Sequence, residues 1–199
     1  MIILGINFGH DASVSIIKDG EILAAIEEEK VSRIKQDFGW PRKAINRLLS
    51  EYQIDKKDIS LVSTESSLFN EISASEVDYR FSKTKIKKSK EIFRRLVTYC
   101  GISQSKFNSS KSKNKFIDNV FNEGFINAKI EFNDHHLCHA ASAYYTAPIN
   151  CDLIITSDGM GGDSSFNFYT PNKNGLELVK KNNYTVSIGA FYSMITKLL

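Results

Sequence analysis

Apolar residues open the chain as a short run, residues 1–8 (MIILGINF), and a polar turn containing Gly9 follows. An apolar run bounded by turn residues predicts a buried strand. Residues 12–29 then carry two strand-like stretches on either side of Asp19-Gly20, a dipeptide that favours the tight turn of a β-hairpin. From 40 to 53 the spacing changes. Ala44, Ile45, Leu48 and Leu49 fall on one face of a helix, and Pro41 suits its first turn. Residues 59–66 predict a further strand, 115–126 a helix and 128–133 a strand. The histidine-bearing segment predicts a helix to about Thr146, and Pro148 stops it.

The pattern of the first thirty residues returns at 151–181. "LIITSD" takes the place of "IILGIN", "GMGGDSS" that of "FGHDAS", and a strand, a glycine turn and a strand follow in both. This predicts an internal duplication. A strand and hairpin, then alternating helices and strands, then the same start again, predicts an α/β chain. Its expected architecture is the duplicated actin/sugar-kinase-like (ribonuclease H-like) fold, with residues 1–150 as a first half-lobe and 151–199 as the start of an incomplete second one. Such folds place nucleotide in the cleft between halves, with small residues in the first turns close to phosphate. The competing account is two unrelated hairpins.

Composition adds exclusions. At 42% apolar and 25% charged, the 199 residues can build a core. The net charge of +3 is too small to imply nucleic acid by itself. Its one concentration is residues 80–115, with twelve Lys/Arg and one acid, Glu91. These suggest a basic helix and a polar loop, taken as a solvated insertion, so no nucleic-acid partner is expected. Cys100, Cys138 and Cys151 form no CxxC pair, as expected of reduced thiols in a cytoplasmic protein. The N-terminus has no basic region ahead of its apolar run, and no run approaches a membrane span, so neither a signal peptide nor a membrane partner is expected.

The candidate chemistry is concentrated in "NDHHLCHAASAYYTAP" (133–148), which holds three of the four histidines. Residues four apart share a helix face, so His135 and His139 can present two imidazoles to one point. Asp134 or a carbonyl could orient a ring, while His136, about 100° away, suits substrate contact or packing. Asp158, placed at the end of a strand over 152–157, is the expected third ligand. Two imidazoles and a carboxylate suit Fe(II), Zn or Mn. The competing account makes these surface or packing histidines. Gly159, Gly161 and Gly162 form the expected phosphate-type turn, completed by Ser164. His10 and Asp11 sit in the equivalent first turn. Lys35 and Arg33 follow the "EEEK" run, of which Glu28 and Lys30 are expected to be solvated.

These segments together resemble the N-terminal part of the O-carbamoyltransferases. The resemblance rests on "LGINFGHDASVSIIKDGEILAAIEEEKVSRIKQDFGWP", "DHHLCHAASAYYTAP", "TSDGMGGDSS" and "SIGAFYSMITKLL". It implies carbamoyl transfer from a carbamoyl-adenylate, made from carbamoyl phosphate and ATP, to a hydroxyl of a sugar or natural product. It implies His135, His139 and Asp158 as ligands of a divalent metal, usually iron. His10 and Lys35 would act near the transferred group, and Gly159, Gly161, Gly162 and Ser164 would lie at the nucleotide. The family carries a further ligand aspartate, the rest of the second half-lobe and an adenylate-forming domain beyond the equivalent of residue 199. The expectation is therefore a fragment or split subunit that needs a C-terminal lobe or complementing chain. The alternatives are a non-catalytic nucleotide- or metal-binding subunit and a relative of the tRNA threonylcarbamoyl transferases.

Overall fold

The computed structural model describes residues 1–9, 11–66, 113–161, 164–183 and 187–196. His10, Gly162 and most of the basic segment 80–115, including its expected helix and loop, lie outside them. The described residues form two compact units, 1–64 with 113–132 and 65–66 with 133–196. By contacts, the histidine helix therefore groups with the second meander.

The first unit is built on a five-stranded sheet in the order β3-β2-β1-β4-β5. Its strands are β1 Ile2–Asn7, β2 Ser13–Lys18, β3 Glu21–Glu27, β4 Ile59–Glu65 and β5 Lys129–Asn133. β2 runs antiparallel to both β1 and β3, whereas β1 and β4 are parallel. A meander of three strands with the fourth added beside the first is the ribonuclease H-like order expected from the sequence pattern. Asp19 and Gly20 both hold positive φ, 52° and 91°. This is the requirement of a type I′ hairpin turn, and glycine meets it without steric cost.

A short helix, α1 (Glu28–Ser32), and α2 (Arg42–Glu51) follow β3. The predicted apolar stripe of α2, Ala44, Ile45, Leu48 and Leu49, is buried. It packs with Leu4 and Ile6 of β1, Val14 and Ile16 of β2, and Ile59 and Val62 of β4. Each such aliphatic side chain withdrawn from water contributes about 1.5–3 kcal/mol. Helical residues 113–122 (α3) add Phe116 and Val120 to this core. Phe116 is its aromatic centre, with ring centroids 5.3 Å from Phe8, 5.5 Å from Trp40 and 5.8 Å from Phe132.

Glu28 departs from expectation. It is only 6% exposed, and its two carboxylate oxygens accept the backbone N–H groups of Lys43 (3.2 Å) and Ala44 (2.8 Å). The first turn of any helix has donors without intrahelical partners. The N-cap of α2 is Pro41, whose side chain cannot accept a hydrogen bond, so an acid from the preceding helix does so instead. In the run "EEEK", this glutamate is thus a buried cap and not a solvated charge.

The second unit holds an antiparallel meander, β6 (Ile154–Gly161), β7 (Ser164–Asn172) and β8 (Gly175–Asn183). It repeats the β1–β2–β3 plan, as the duplicated pattern predicts. The helices α4 (His135–Thr146) and α5 (Ile188–Thr196) both contact β6. Ala140 of α4 is buried with Ile154 and Tyr169, and Leu137 and Tyr144 pack around them. Two expectations are corrected here. β6 is not uniformly buried, since Ile155 is exposed between buried Ile154 and Thr156. It also does not end at Asp158 but continues through Gly161, so Gly159 and Gly161 belong to a strand and not to a turn. No helix among the described residues is long and apolar enough to cross a membrane.

Candidate metal centre

The histidine helix starts where its cap dictates. Asp134 has extended backbone, and its carboxylate accepts the N–H of Leu137 at 2.9 Å. The phenol of Tyr169 also reaches Asp134, at 3.4 Å. Asp134 was a candidate to orient a histidine ring, but its side chain is engaged as the N-cap. The helix ends at Thr146, and Ala147 before Pro148 is extended, as the proline ring requires of the residue preceding it.

His136 is the register pin of this helix. It is fully buried, with Nδ1 2.8 Å from the Thr156 hydroxyl and Nε2 3.1 Å from the Ser164 carbonyl. The carbonyl can only accept, so Nε2 carries a proton and donates it to Ser164. Asn167 donates to Ser164 Oγ (3.2 Å) and to Tyr169 Oη (3.3 Å). Together these groups satisfy one another beneath α4, where an unpaired polar atom would be costly. Ser164, expected at a phosphate, is fully buried and used inside this network. A hydroxyl enclosed in this way is not presented to a nucleotide.

With His136 turned into the sheet, His135 and His139 share the flank of α4 and meet Asp158. His135 Nε2 is 2.7 Å from Asp158 Oδ2 and 3.0 Å from His139 Nε2. His139 Nε2 lies 3.6 Å from the same carboxylate oxygen. Asp158 falls where the pairing of β6 with β7 slips, between Ser157 and Gly161. Such irregularities re-aim side chains. Ser187, ahead of α5, donates to the Asp158 carbonyl at 3.3 Å.

The donor set fits a metal ion. The three residues offer ligand atoms that all lie within 4.8 Å of one another. Bonds of about 2.0–2.2 Å to nitrogen and oxygen place neighbouring ligand atoms roughly 3–3.5 Å apart, close to the separations found. Electrostatics concur. The Glu65 carboxylate, hydrogen-bonded to Nδ1, and then Asp158 raise His135 to about 9 against the opposing effect of burial. Burial, followed by the charge on His135, lowers His139. The site thus stabilises positive charge beside a neutral imidazole. Cys138 is not part of it: burial, followed by the charges of Glu65 and Asp134, pushes the thiol up to about 11 and keeps it protonated.

Glu65 is the residue that the sequence reading passed over. It ends β4, and its Oε2 is 3.2 Å from His135 Nδ1. The available signal was an acid at the carboxyl end of a strand in a mixed α/β chain, where such folds collect their ligands. Lys35 belongs to the first unit. It is 82% exposed, and its ammonium lies 2.9 Å from Glu29 Oε1. Glu29 also takes the Lys30 ammonium and the Gln36 N–H. Lys30, then Lys35 and Gln36, hold its carboxyl down at about 2.

The Carbamoyltransferase N-terminus family matches residues 2–199. The chain belongs to that family. Two other comparisons place this carbamoyltransferase N-terminal domain among longer proteins. An uncharacterized protein of Methanocaldococcus jannaschii is 30% identical over 197 residues, 99% of this chain and 30% of its own length. The nodulation protein NolNO of Sinorhizobium fredii is 27% identical over 156 residues, 78% of this chain and 20% of its own. The domain therefore spans between 20% and 39% of the length of the curated relatives it matches. Among solved structures, YeaZ from Pseudomonas aeruginosa aligns with 90% of the domain and 66% of its own chain, at 10% identity and a TM-score of 0.41.

Proposed function

We propose that this domain is the metal-carrying, transfer part of an O-carbamoyltransferase. In this reading the complete protein makes carbamoyl-adenylate from carbamoyl phosphate and ATP, then passes the carbamoyl group to a hydroxyl of a sugar or natural product. The observation that carries the reading is the meeting of His135, His139 and Asp158 in a chain that the family matches from residue 2 onward.

His135, His139 and Asp158 would hold a divalent metal, iron being the first choice, and that ion would supply Lewis-acid stabilisation of negative charge. Transfer of a carbamoyl group to a hydroxyl needs a base for the departing proton and a donor for the oxyanion. His10 is proposed for the first role and Lys35 for the second. Lys35 would have to exchange its contact with Glu29 for the substrate. Its exposure makes that exchange easy, since ion pairs in water are held only loosely. Gly159, Gly161 and Gly162 are proposed as the place where the backbone comes close to the nucleotide.

The remaining part of the protein is proposed to cover apolar residues of α5. Ile188, Phe191, Tyr192 and Ile195 recur at helical spacing and are all exposed. A C-terminal lobe or complementing chain suits that face.

Metal analysis tests the core of the proposal. After loading with Fe(II) under anaerobic conditions, the wild-type chain is expected to hold one equivalent and His139→Ala none. Wild-type iron content in the variant would overturn the assignment. In the complete enzyme, His10→Asn is expected to lose transfer while adenylate still forms. Intact transfer would remove His10 from the mechanism.

A further inference from the structure

The chain after Glu65 and the chain before His135 are tied together. The Ser66 N–H donates to the Asn133 carbonyl at 2.7 Å, one residue beyond β4 and at the last residue of β5. Glu65 and His135 are therefore held beside a shared backbone contact, and neither is presented from a long loop. Along β4 the burial alternates, with Val62 and Thr64 buried. Glu65 has the opposite parity, on the side where the histidine ring stands. It is 13% exposed, low for a carboxylate whose contact were a passing surface one.

We propose that Glu65 is a positioning residue of the metal centre. It accepts the Nδ1–H of His135, fixes that proton on the far side of the ring, and so holds Nε2 toward Asp158 and His139, where a metal ion would replace the Nε2 proton. This deepens the metal reading above and rests on it. The arrangement has two consequences. A ring with a carboxylate behind it cannot turn over without breaking a charge-assisted bond, so its donor atom is in place before the ion arrives. The glutamate also brings one negative charge that does not compete for a coordination position. The ligands among the described residues, two imidazoles and one carboxylate, would by themselves leave a divalent ion with a net positive charge, and Glu65 offsets it from outside that set. Among the described residues no second carboxylate stands behind His139 in this way, so the two imidazoles should differ as donors.

The test compares the wild-type chain with Glu65→Ala, Glu65→Gln and His139→Ala, titrated with Zn(II) against a competing chelator. Glu65→Ala is expected to bind Zn(II) about 10- to 100-fold more weakly, the range found when such outer carboxylates are removed. Glu65→Gln keeps an oxygen that can accept Nδ1–H and should fall between. A purely structural role would not move the proton itself. In the Zn(II)-loaded wild type, the His135 Nδ1–H resonance should be downfield and protected from exchange. It should shift upfield in Glu65→Gln and be lost to exchange in Glu65→Ala. Wild-type affinity and an unchanged resonance in Glu65→Gln and in any folded Glu65→Ala would overturn the inference and leave the metal reading standing. Equal Zn(II) affinity of His139→Ala and wild type would overturn the metal reading, and this inference with it.

Discussion

Asn7 in β1 and Asp158 in β6 occupy matching positions of the two repeats, and they serve different ends. Asn7 donates to the Asp11 carbonyl and closes its own turn at 3.1 Å. Asp158 stands in a stretch where strand pairing slips and meets two imidazoles. The interiors beside these strands differ in the same sense. The first meander packs Leu4, Ile6, Val14 and Ile16 against an apolar helix and aromatic rings. The second sets His136 of its helix against Thr156, Ser164 and Asn167 of its strands, all at buried positions. The same strand plan supports an apolar core in one case and a polar platform in the other. Apolar packing supplies stability with little directional demand. A buried polar network adds less net stability but fixes orientation, because its members are satisfied in few arrangements.

The largest test of this difference is Phe116→Ala. The ring is fully buried between Phe8, Trp40 and Phe132. Its removal should cost about 3–5 kcal/mol, as for other buried aromatics, read as a lower urea midpoint. Zn(II) affinity of the folded fraction should not change. A parallel loss of affinity would mean that core packing in the first unit tunes the site, and the division of labour would fail.

Asn167→Ala should cost less stability and more function. Its amide joins Ser164 to Tyr169, and its side-chain oxygen accepts the Asn182 N–H at 3.4 Å. Truncation removes the partner of the buried Ser164 hydroxyl, at about 1–3 kcal/mol, while Tyr169 keeps its contact with Asp134. Zn(II) affinity is expected to fall as well, since Ser164 also holds the ring of His136. Lower stability with unchanged affinity would show that the network supports the sheet but does not set the helix.

Glu28→Ala probes a polar group inside the apolar half. Removing a helix cap costs about 0.5–2 kcal/mol. The loss should appear in thermal unfolding, with Zn(II) binding unaffected.

The elements were legible in the sequence because their signals are local: the apolar stripe of α2, the Asp19-Gly20 turn, and Pro148 after the histidine helix. The shared face of His135 and His139 follows from helix geometry alone. What could not be read depends on partners far apart in the chain. Glu28 looks like part of a charged run until α2 returns to it fifteen residues later with free N–H groups. Glu65 lies seventy residues from His135. Ser164 appears suited to a phosphate turn because nothing nearby discloses that Asn167 and His136 occupy it. The continuation of β6 past Asp158 was hidden for another reason. Glycines ordinarily signal turns, and a strand with interrupted pairing tolerates them.

The smallest stability effect belongs to Lys35, and its value lies in being small. The Lys35 side chain is exposed and its partner Glu29 keeps the Lys30 and Gln36 contacts, so Lys35→Ala should lower the melting temperature at neutral pH only slightly. Because Glu29 titrates at about 2 in the folded chain against an ordinary value of 4.5, its contacts favour the native state above pH 4.5. That contribution fades as the pH falls from 4.5 towards 2. Lys35→Ala should flatten part of this acid slope, and Lys30 should preserve the remainder. A residue that adds so little to the fold is either a surface charge or is kept for chemistry. In the complete enzyme, the proposed role predicts that Lys35→Ala loses carbamoyl transfer with adenylate formation retained. Unimpaired transfer would return Lys35 to the solvated surface.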